Sequence, residues 1–318
     1  MNIDLSVVVP VYNEEDSVEA LYDEVNYTLS SLDIKREIIF VDDGSTDDTF
    51  NKLNELYLRG EDIHIIKFRK NFGKSAALNA AFERLRGSIV ITMDGDLQDD
   101  PKQIPRFIER IEEGYDLVSG WKYIRNDPIT KRIPSKIFNR LARVLTGVEL
   151  HDFNCGFKAY KKETLENITL YGEMHRYIPA LAAWNGFKIG EIKVEHRPRI
   201  HGKSKYGVSR LFKGFLDLIT VKFLISYSSR PLHVFGMPGI FSLSLGFLIG
   251  LYLVILKYLE GISLSERPLL LLSVLLVILG LQFVSIGLLG EMITFRSMKD
   301  ESTDRYVELM VGGCNEGR

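Results

Sequence analysis

Two uncharged stretches near the C-terminus, Val234 to Leu256 and Pro268 to Gly290, each 23 residues long, constrain this chain more than any other feature. Each is long enough to cross a roughly 30 Å hydrocarbon core as a helix. The linker between them, Lys257 to Arg267, carries two acidic and two basic residues, so the pair reads as a transmembrane hairpin. Lys213, Lys222 and Arg230 precede it and Arg296, Lys299 and Arg305 follow it. By the positive-inside rule this distribution places both chain ends in the cytoplasm. Neither stretch carries an ionisable residue of the kind that marks a transport path. Gly246 and Gly250 form a small-xxx-small pair that can let two helices approach closely, which leaves a homo-oligomer open.

Upstream, from residue 5 to about 120, short β-branched runs alternate with helical patterns. That alternation is the sequence form of an α/β domain with a mostly parallel sheet covered by helices. Strands are expected at Leu5 to Val9, Glu37 to Val41, His64 to Phe68, Ser88 to Met93 and Asp116 to Ser119. Helices are expected near Glu15 to Ser31, Thr46 to Leu58, Ser75 to Leu85 and Lys102 to Glu113. The organisation that follows is an α/β domain over residues 1–208, a segment over 209–230, the hairpin within 231–295 and a tail over 296–318. Within 209–230, Phe212, Phe215, Leu216, Ile219 and Phe223 are mixed with Arg210, Lys213 and Lys222. Such a composition suits an interfacial amphipathic helix, with an ordinary packing helix as the alternative.

The net charge of −2 offers no global basic field for nucleic acid, so any phosphate recognition must be local. Two cysteines, Cys155 and Cys314, make neither a disulfide framework nor a Cys-based zinc site, which fits a reducing compartment. The N-terminus lacks the basic and apolar regions of a signal peptide, and a cytoplasmic start is expected.

The expected strands end in polar residues: Tyr12-Asn13-Glu14, Asp42-Asp43-Gly44-Ser45 and Asp94-Gly95-Asp96. In an open parallel sheet those carboxyl ends form the ligand crevice. After the apolar run Ile89-Val90-Ile91, the sequence Met93-Asp94-Gly95-Asp96-Leu97-Gln98 sets two carboxylates and an amide oxygen at alternate positions. These can converge on one hard divalent cation, which would neutralise charge on a diphosphate leaving group. A solvated acidic turn is the plainer alternative. A calcium loop is excluded because its sixth position is Asp99 and its twelfth Pro105, where glycine and glutamate are required. Gly73-Lys74-Ser75 resembles the end of a P-loop, but the first glycine of that motif would fall at Phe68, inside a strand.

The succession Val9-Pro10-Val11-Tyr12-Asn13-Glu14, Val41-Asp42-Asp43-Gly44-Ser45-Thr46-Asp47 and Asp94-Gly95-Asp96-Leu97-Gln98 resembles the family 2 glycosyltransferases of GT-A fold, over roughly the first 210 residues. With Gly202-Lys203-Ser204-Lys205-Tyr206-Gly207 and the hairpin, the chain looks more narrowly like the polyprenyl-phosphate glycosyltransferases. That resemblance implies that Pro10, Tyr12, Glu14, Val41 and Asp43 hold the nucleoside, and that Asp94, Gly95 and Asp96 meet the donor diphosphate. Asp94, Asp96 and Gln98 would hold Mg2+ or Mn2+. Arg199 and Lys205, around Gly202, would close over the donor phosphates as a lid. Lys122, Lys131, Arg132 and Ser135, in a cationic segment that also holds Arg125 and Lys136, would take the acceptor phosphate. The family often has arginine where Lys122 and Lys131 stand, and lysine keeps the charge without the bidentate fork.

An acceptor phosphate monoester, with a second pKa near 6, is already largely ionised at neutral pH and needs no strong base. His151 and Asp152 are thereby demoted as a base and its orienter, although Asp152 keeps a candidate catalytic or acceptor-orienting role. Direct attack on the anomeric carbon would invert its configuration. The implied reaction is transfer of glucose from UDP-glucose to undecaprenyl phosphate at the cytosolic face of a bacterial-type plasma membrane. A GDP-mannose donor, or a membrane protein that binds a nucleotide sugar without turnover, is the alternative. A processive polysaccharide synthase is disfavoured, because the Gln-x-x-Arg-Trp motif is missing and two spans cannot easily enclose a polymer channel.

Overall fold

The computed structural model describes residues 3–59, 62–123, 129–166, 168, 170, 172–198, 218, 220–223, 231–260 and 268–300. They fall into two compact units, Met1–Val221 and Lys222–Arg318.

The first unit is built on a seven-stranded sheet ordered β3-β2-β1-β4-β6-β5-β7. Its strands are β1 (Ile3–Val11), β2 (Arg36–Asp42), β3 (Ile63–Lys67), β4 (Gly87–Thr92), β5 (Leu117–Lys122), β6 (Lys158–Lys161) and β7 (Ile189–Val194). Every pairing is parallel except those of β6, which runs antiparallel to both β4 and β5. β1 and β2 are apolar nearly end to end because helices cover both faces, a pattern that distinguishes them from strands with one wet face. The helices are α1 (Val18–Ser30), α2 (Thr49–Arg59), α3 (Lys74–Phe82), α4 (Ile104–Glu112), α5 (Ile129–Thr146), α6 (Lys162–Glu166) and α7 (Ile178–Trp184). In α1 the residues Val18, Leu21, Val25 and Leu29 recur at helical spacing and are fully buried. They join Val7, Val9, Ile38, Phe40 and Phe107 in the core.

The five expected strands and four expected helices are all present, with shifted ends. α1 starts three residues later than the expected Glu15 because its would-be first turn is bound elsewhere. The N–H groups of Asn13, Glu14 and Glu15 donate to Ser45 Oγ, Thr49 Oγ1 and Asp47 Oδ2. The same cross-links delay α2, since Thr46 and Asp48 N–H donate back to Asn13 Oδ1 and Glu15 Oε2. β5 runs on past Ser119, so Lys122 ends the strand instead of following it.

The second unit is an antiparallel helical hairpin, α8 (Pro231–Glu260) and α9 (Pro268–Asp300). The apolar portions are Pro231–Leu259 and Pro268–Ile293, of 29 and 26 residues, in which an 18-residue stretch reaches a mean hydropathy of 2.3 and 2.7 respectively. At 1.5 Å per residue the shorter is about 39 Å, enough to cross a bilayer. Large apolar side chains such as Phe241, Phe247 and Leu271 are exposed around both helices, as hydrocarbon requires and a soluble core does not. The two helices meet on small residues. A Cβ on Gly239 would lie 3.0 Å from Gly280 O, and one on Gly246 would lie 2.9 Å from Ser273 O. Ser242 and Ser273 donate across the seam to Leu276 O and Gly246 O, both at 2.8 Å.

Gly246 and Gly250 pack against Ser273 of the same chain, so the close helix approach that their spacing suggested occurs within the hairpin. The helical spans also reach further than the uncharged stretches and take in His233, Lys257 and Glu291. Glu291 Oε2 accepts the Leu232 N–H at 3.3 Å and so satisfies a donor at the start of α8. Of segment 209–230, only Leu218 and residues 220–223 are described, and Leu218 and Val221 are buried.

Candidate functional site

β1 lies between β2 and β4, with Val11 opposite Asp42 and Val8 opposite Thr92. The polar ends of these three strands therefore sit side by side at the C-terminal end of the sheet. Pro10, Tyr12 and Glu14 belong to the central end, Val41 and Asp43 to one flank, and Asp94, Gly95 and Asp96 to the other. The strand ends expected to line a ligand crevice are thereby brought together.

On the β2 side, the Asp43 carboxylate accepts N–H bonds from Phe72 at 2.7 Å and Gly73 at 2.9 Å. Burial lifts this carboxyl above its ordinary range, the two N–H bonds pull it part of the way back, and neighbouring Asp42 raises it again. Asp43 thus anchors the loop that leads into α3. Gly44, at φ 72°, passes so close that a Cβ would meet the Lys70 backbone at 2.3 Å.

On the β4 side, Asp94 sits in a hollow floored by Gly156, where an added Cβ would be 2.6 and 2.7 Å from its carboxylate oxygens. Its Oδ1 forms an ion pair with Lys74 Nζ, and its N–H donates to Asp99 Oδ2 at 3.2 Å. Asp99 Oδ1 in turn faces Lys122 Nζ at 3.2 Å. Burial works against the charged form of Asp94, but Lys74 and Lys122 hold its carboxyl well below the usual range, with His175 adding to them. Lys122 is likewise disfavoured by burial yet kept well above the ordinary lysine range, chiefly by Asp99. Leu97, at φ 60°, reverses the chain so that Asp96 is buried and its Oδ1 accepts the Gln98 N–H at 3.2 Å. Gln98 Nε2 donates to Arg197 O at 3.3 Å, which leaves its Oε1 as an acceptor.

The chemistry of this donor set fits a hard divalent cation: Gly156 leaves the Asp94 carboxylate room, and Asp96 and the Gln98 oxygen offer further oxygen donors. Among the described residues no group of three or more His, Cys, Asp or Glu side chains is placed for a metal. The expected set is of another kind, two carboxylates and an amide oxygen.

The acceptor candidates are less fully placed. Lys122 lies in the charge network beneath Asp94, and its side chain is only 13% exposed. Lys131, Arg132 and Ser135 fall on α5, Ser135 being half-buried, while the side chains of Lys131 and Arg132 lie outside the described residues. Arg199 and Lys205 also lie outside them. Asp152 is buried, and its Oδ1 accepts the Asn154 N–H at 3.1 Å. Its charge bears on Lys122, Cys155 and Lys158, which places it in the same network. His151 is half-exposed, stacked on Trp121 at 4.0 Å between ring centroids and bound through Nδ1 to Glu191 at 2.7 Å.

Three participants escaped the sequence reading. Lys74 was visible only as part of a failed P-loop. His175 reaches the site through Ser75, whose Oγ meets its Nδ1 at 2.9 Å. Lys158 hides in the short strand β6, where burial pushes its ammonium down to about 8 and its Nζ donates to Cys155 O. Burial pushes the Cys155 thiol up to about 12, which makes it inert as a nucleophile.

With its β4-end carboxylates in an open α/β sheet, the chain belongs to Glycosyl transferase family 2, whose family model matches residues 6–169, and it is a glycosyltransferase of GT-A fold. It is 40% identical over 311 residues to a dodecaprenyl-phosphate galacturonate synthase of Rhizobium johnstonii, covering 96% of this chain and 92% of that relative. It is 36% identical over 324 residues to an undecaprenyl-phosphate 4-deoxy-4-formamido-L-arabinose transferase of Shewanella sediminis, covering 99% and 96%. Among solved structures it resembles glucosyl-3-phosphoglycerate synthase from Mycobacterium tuberculosis in complex with Mn2+, UDP and phosphoglyceric acid. The TM-score is 0.55 at 21% identity, over 70% of this chain and 78% of that one, a likeness of fold.

Proposed function

We propose that this protein transfers a sugar from a nucleotide-sugar donor to the phosphate of a polyprenyl lipid. The observation that carries the reading is the pair of polyprenyl-phosphate sugar transferases to which the chain is similar along nearly its whole length, hairpin included. The hairpin suits a lipid acceptor because it keeps the chain at the bilayer. Both termini are assigned to the cytoplasmic side by the basic residues flanking it. For the donor, the sugars named in those relatives are galacturonate and formamido-arabinose. They favour a modified or acidic sugar over the UDP-glucose suggested by the sequence.

In this reading Pro10, Tyr12, Glu14, Val41 and Asp43 hold the nucleoside, and Asp94, Asp96 and Gln98 hold Mg2+ or Mn2+ against the diphosphate. The bound cation would act as a Lewis acid that neutralises charge on the leaving nucleoside diphosphate. Arg199 and Lys205 add charge-assisted contacts to the donor phosphates. Lys122, Lys131, Arg132 and Ser135 orient the acceptor phosphate, with the buried Asp152 setting the charge around Lys122. The acceptor oxygen, ionised at neutral pH, attacks the anomeric carbon as the glycosyl–phosphate bond breaks, and configuration inverts.

The test is transfer of labelled sugar into undecaprenyl phosphate from UDP-galacturonic acid, UDP-glucose and GDP-mannose, with Mn2+ or Mg2+, for wild type and Asp96→Ala. Labelled lipid from one donor, reduced at least 100-fold in the variant, is expected. Nucleotide-sugar binding with no lipid product from any donor would reject the acceptor.

A further inference from the structure

Lys74 opens α3 and is held from both sides. Ahead of it, Asp43 pins the N–H groups of Phe72 and Gly73. Behind it, Ser75 Oγ accepts the His175 N–H at 3.1 Å and meets the same residue's imidazole. With its backbone fixed, the side chain reaches Asp94, and the two partners are only 23% and 32% exposed. Asp94 is also the carboxylate assigned to the divalent cation. Its neighbour Asp99 is matched by Lys122 in the same way. Each of these two carboxylates thus has a lysine of its own, and a divalent ion arriving alone would meet a positive charge already seated on Asp94. An ion arriving with a nucleoside diphosphate brings anionic oxygens enough for both cations. A lysine suits such an exchange, since it is a compact charge on a flexible stem with three rotatable donors.

We infer that Lys74 is a tethered cation that occupies Asp94 until a divalent metal arrives together with a nucleoside diphosphate, and that it then moves from Asp94 to the diphosphate oxygens. Metal and donor therefore enter as a unit, and the metal alone binds poorly. This role rests on the metal-site reading above.

The experiment counts free Mn2+ by electron paramagnetic resonance during titration of the full-length protein in detergent. Wild type, Lys74→Gln and Lys74→Arg are each measured with and without saturating UDP. Lys74→Gln is expected to bind Mn2+ alone on the order of tenfold more tightly than wild type, and UDP with Mn2+ more weakly. Lys74→Arg restores the wild-type order. Lys74→Met replaces the glutamine variant, and is read in the same way, if melting shows that glutamine disturbs folding. Mn2+ affinity that ignores the charge at position 74 would overturn the role of Lys74. Asp96→Asn separates the two ideas. Mn2+ binding with UDP that survives this change sinks the metal site itself, whereas binding that needs Asp96 but ignores Lys74 sinks only the exchange.

Discussion

Asp94 and Asp96 announce themselves in the sequence, but the residue that makes room for Asp94 does not. Gly156 is far from the motif in the chain, and only the antiparallel approach of β6 beside β4 brings it under the carboxylate. A Cβ there overlaps both oxygens, so Gly156→Ala must displace Asp94 by a fraction of an ångström or more. Since misplacing a reacting group by about 1 Å can cost on the order of 100-fold in rate, Gly156→Ala is expected to lose that much transfer activity. Steady-state kinetics against the best donor checks it, and a variant retaining more than a tenth of the wild-type rate would contradict the geometry. Lys74 shows the complementary limit. Its identity is visible in the sequence, but its partner is set by where α3 begins.

At the scale of elements, the two ends of the sheet divide their labour. The strand C-terminal ends carry the candidate site, while the opposite end is clamped by Glu37 at the start of β2. Its Oε1 accepts from Ser6 Oγ at 2.6 Å and Arg86 N–H at 2.8 Å, and its Oε2 from Arg86 Nε at 2.7 Å. Burial opposes ionisation, but the bonds from Ser6 and Arg86 outweigh it and hold the carboxyl below its ordinary value. A depressed folded-state pKa means stability that is complete above the unfolded-state value of about 4.3 and is lost as pH falls through the folded one. Glu37→Gln is therefore expected to destabilise the protein by roughly 2 kcal/mol at pH 7 and by less below pH 4. Thermal melting across that window checks it, and an equal loss at both pH values would refute the clamp. The sequence located β1 to β4 because each carries a run of adjacent β-branched apolar residues. It passed over β6, whose four residues include two lysines, because pairing between two longer strands, with Lys158 buried, is a tertiary fact.

For the whole molecule, the two compact units imply separable tasks. The first has its own core and contains the clustered strand ends, while the second contains a helix pair suited to a membrane. A chain ending at Val221 is expected to bind UDP with Mn2+ within about threefold of the full-length affinity, because no nucleoside-flank or Asp94–Gln98 residue lies beyond that point. Transfer to undecaprenyl phosphate in vesicles should fall at least tenfold, as the effective concentration conferred by the anchor is lost. Calorimetry and labelled-lipid assays measure the two quantities. Full transfer to vesicle-borne lipid without the hairpin would deny the hairpin its part in reaching the acceptor.

Local chemistry determined a great deal of this protein from the sequence alone. A run of apolar residues has to find hydrocarbon, a β-branched run has to find a sheet, and strand-end carboxylates after Ile91 and Val41 have to gather at the C-terminal end of that sheet. What only the tertiary structure decided is which charges meet. Lys74 seats on Asp94, Lys122 pairs with Asp99, Gly156 lies beneath Asp94, and Gly246 serves its own hairpin. Ion pairs and close approaches act over a few ångströms between residues tens of positions apart, and spacing along the chain carries no record of that proximity until the sheet order brings them together.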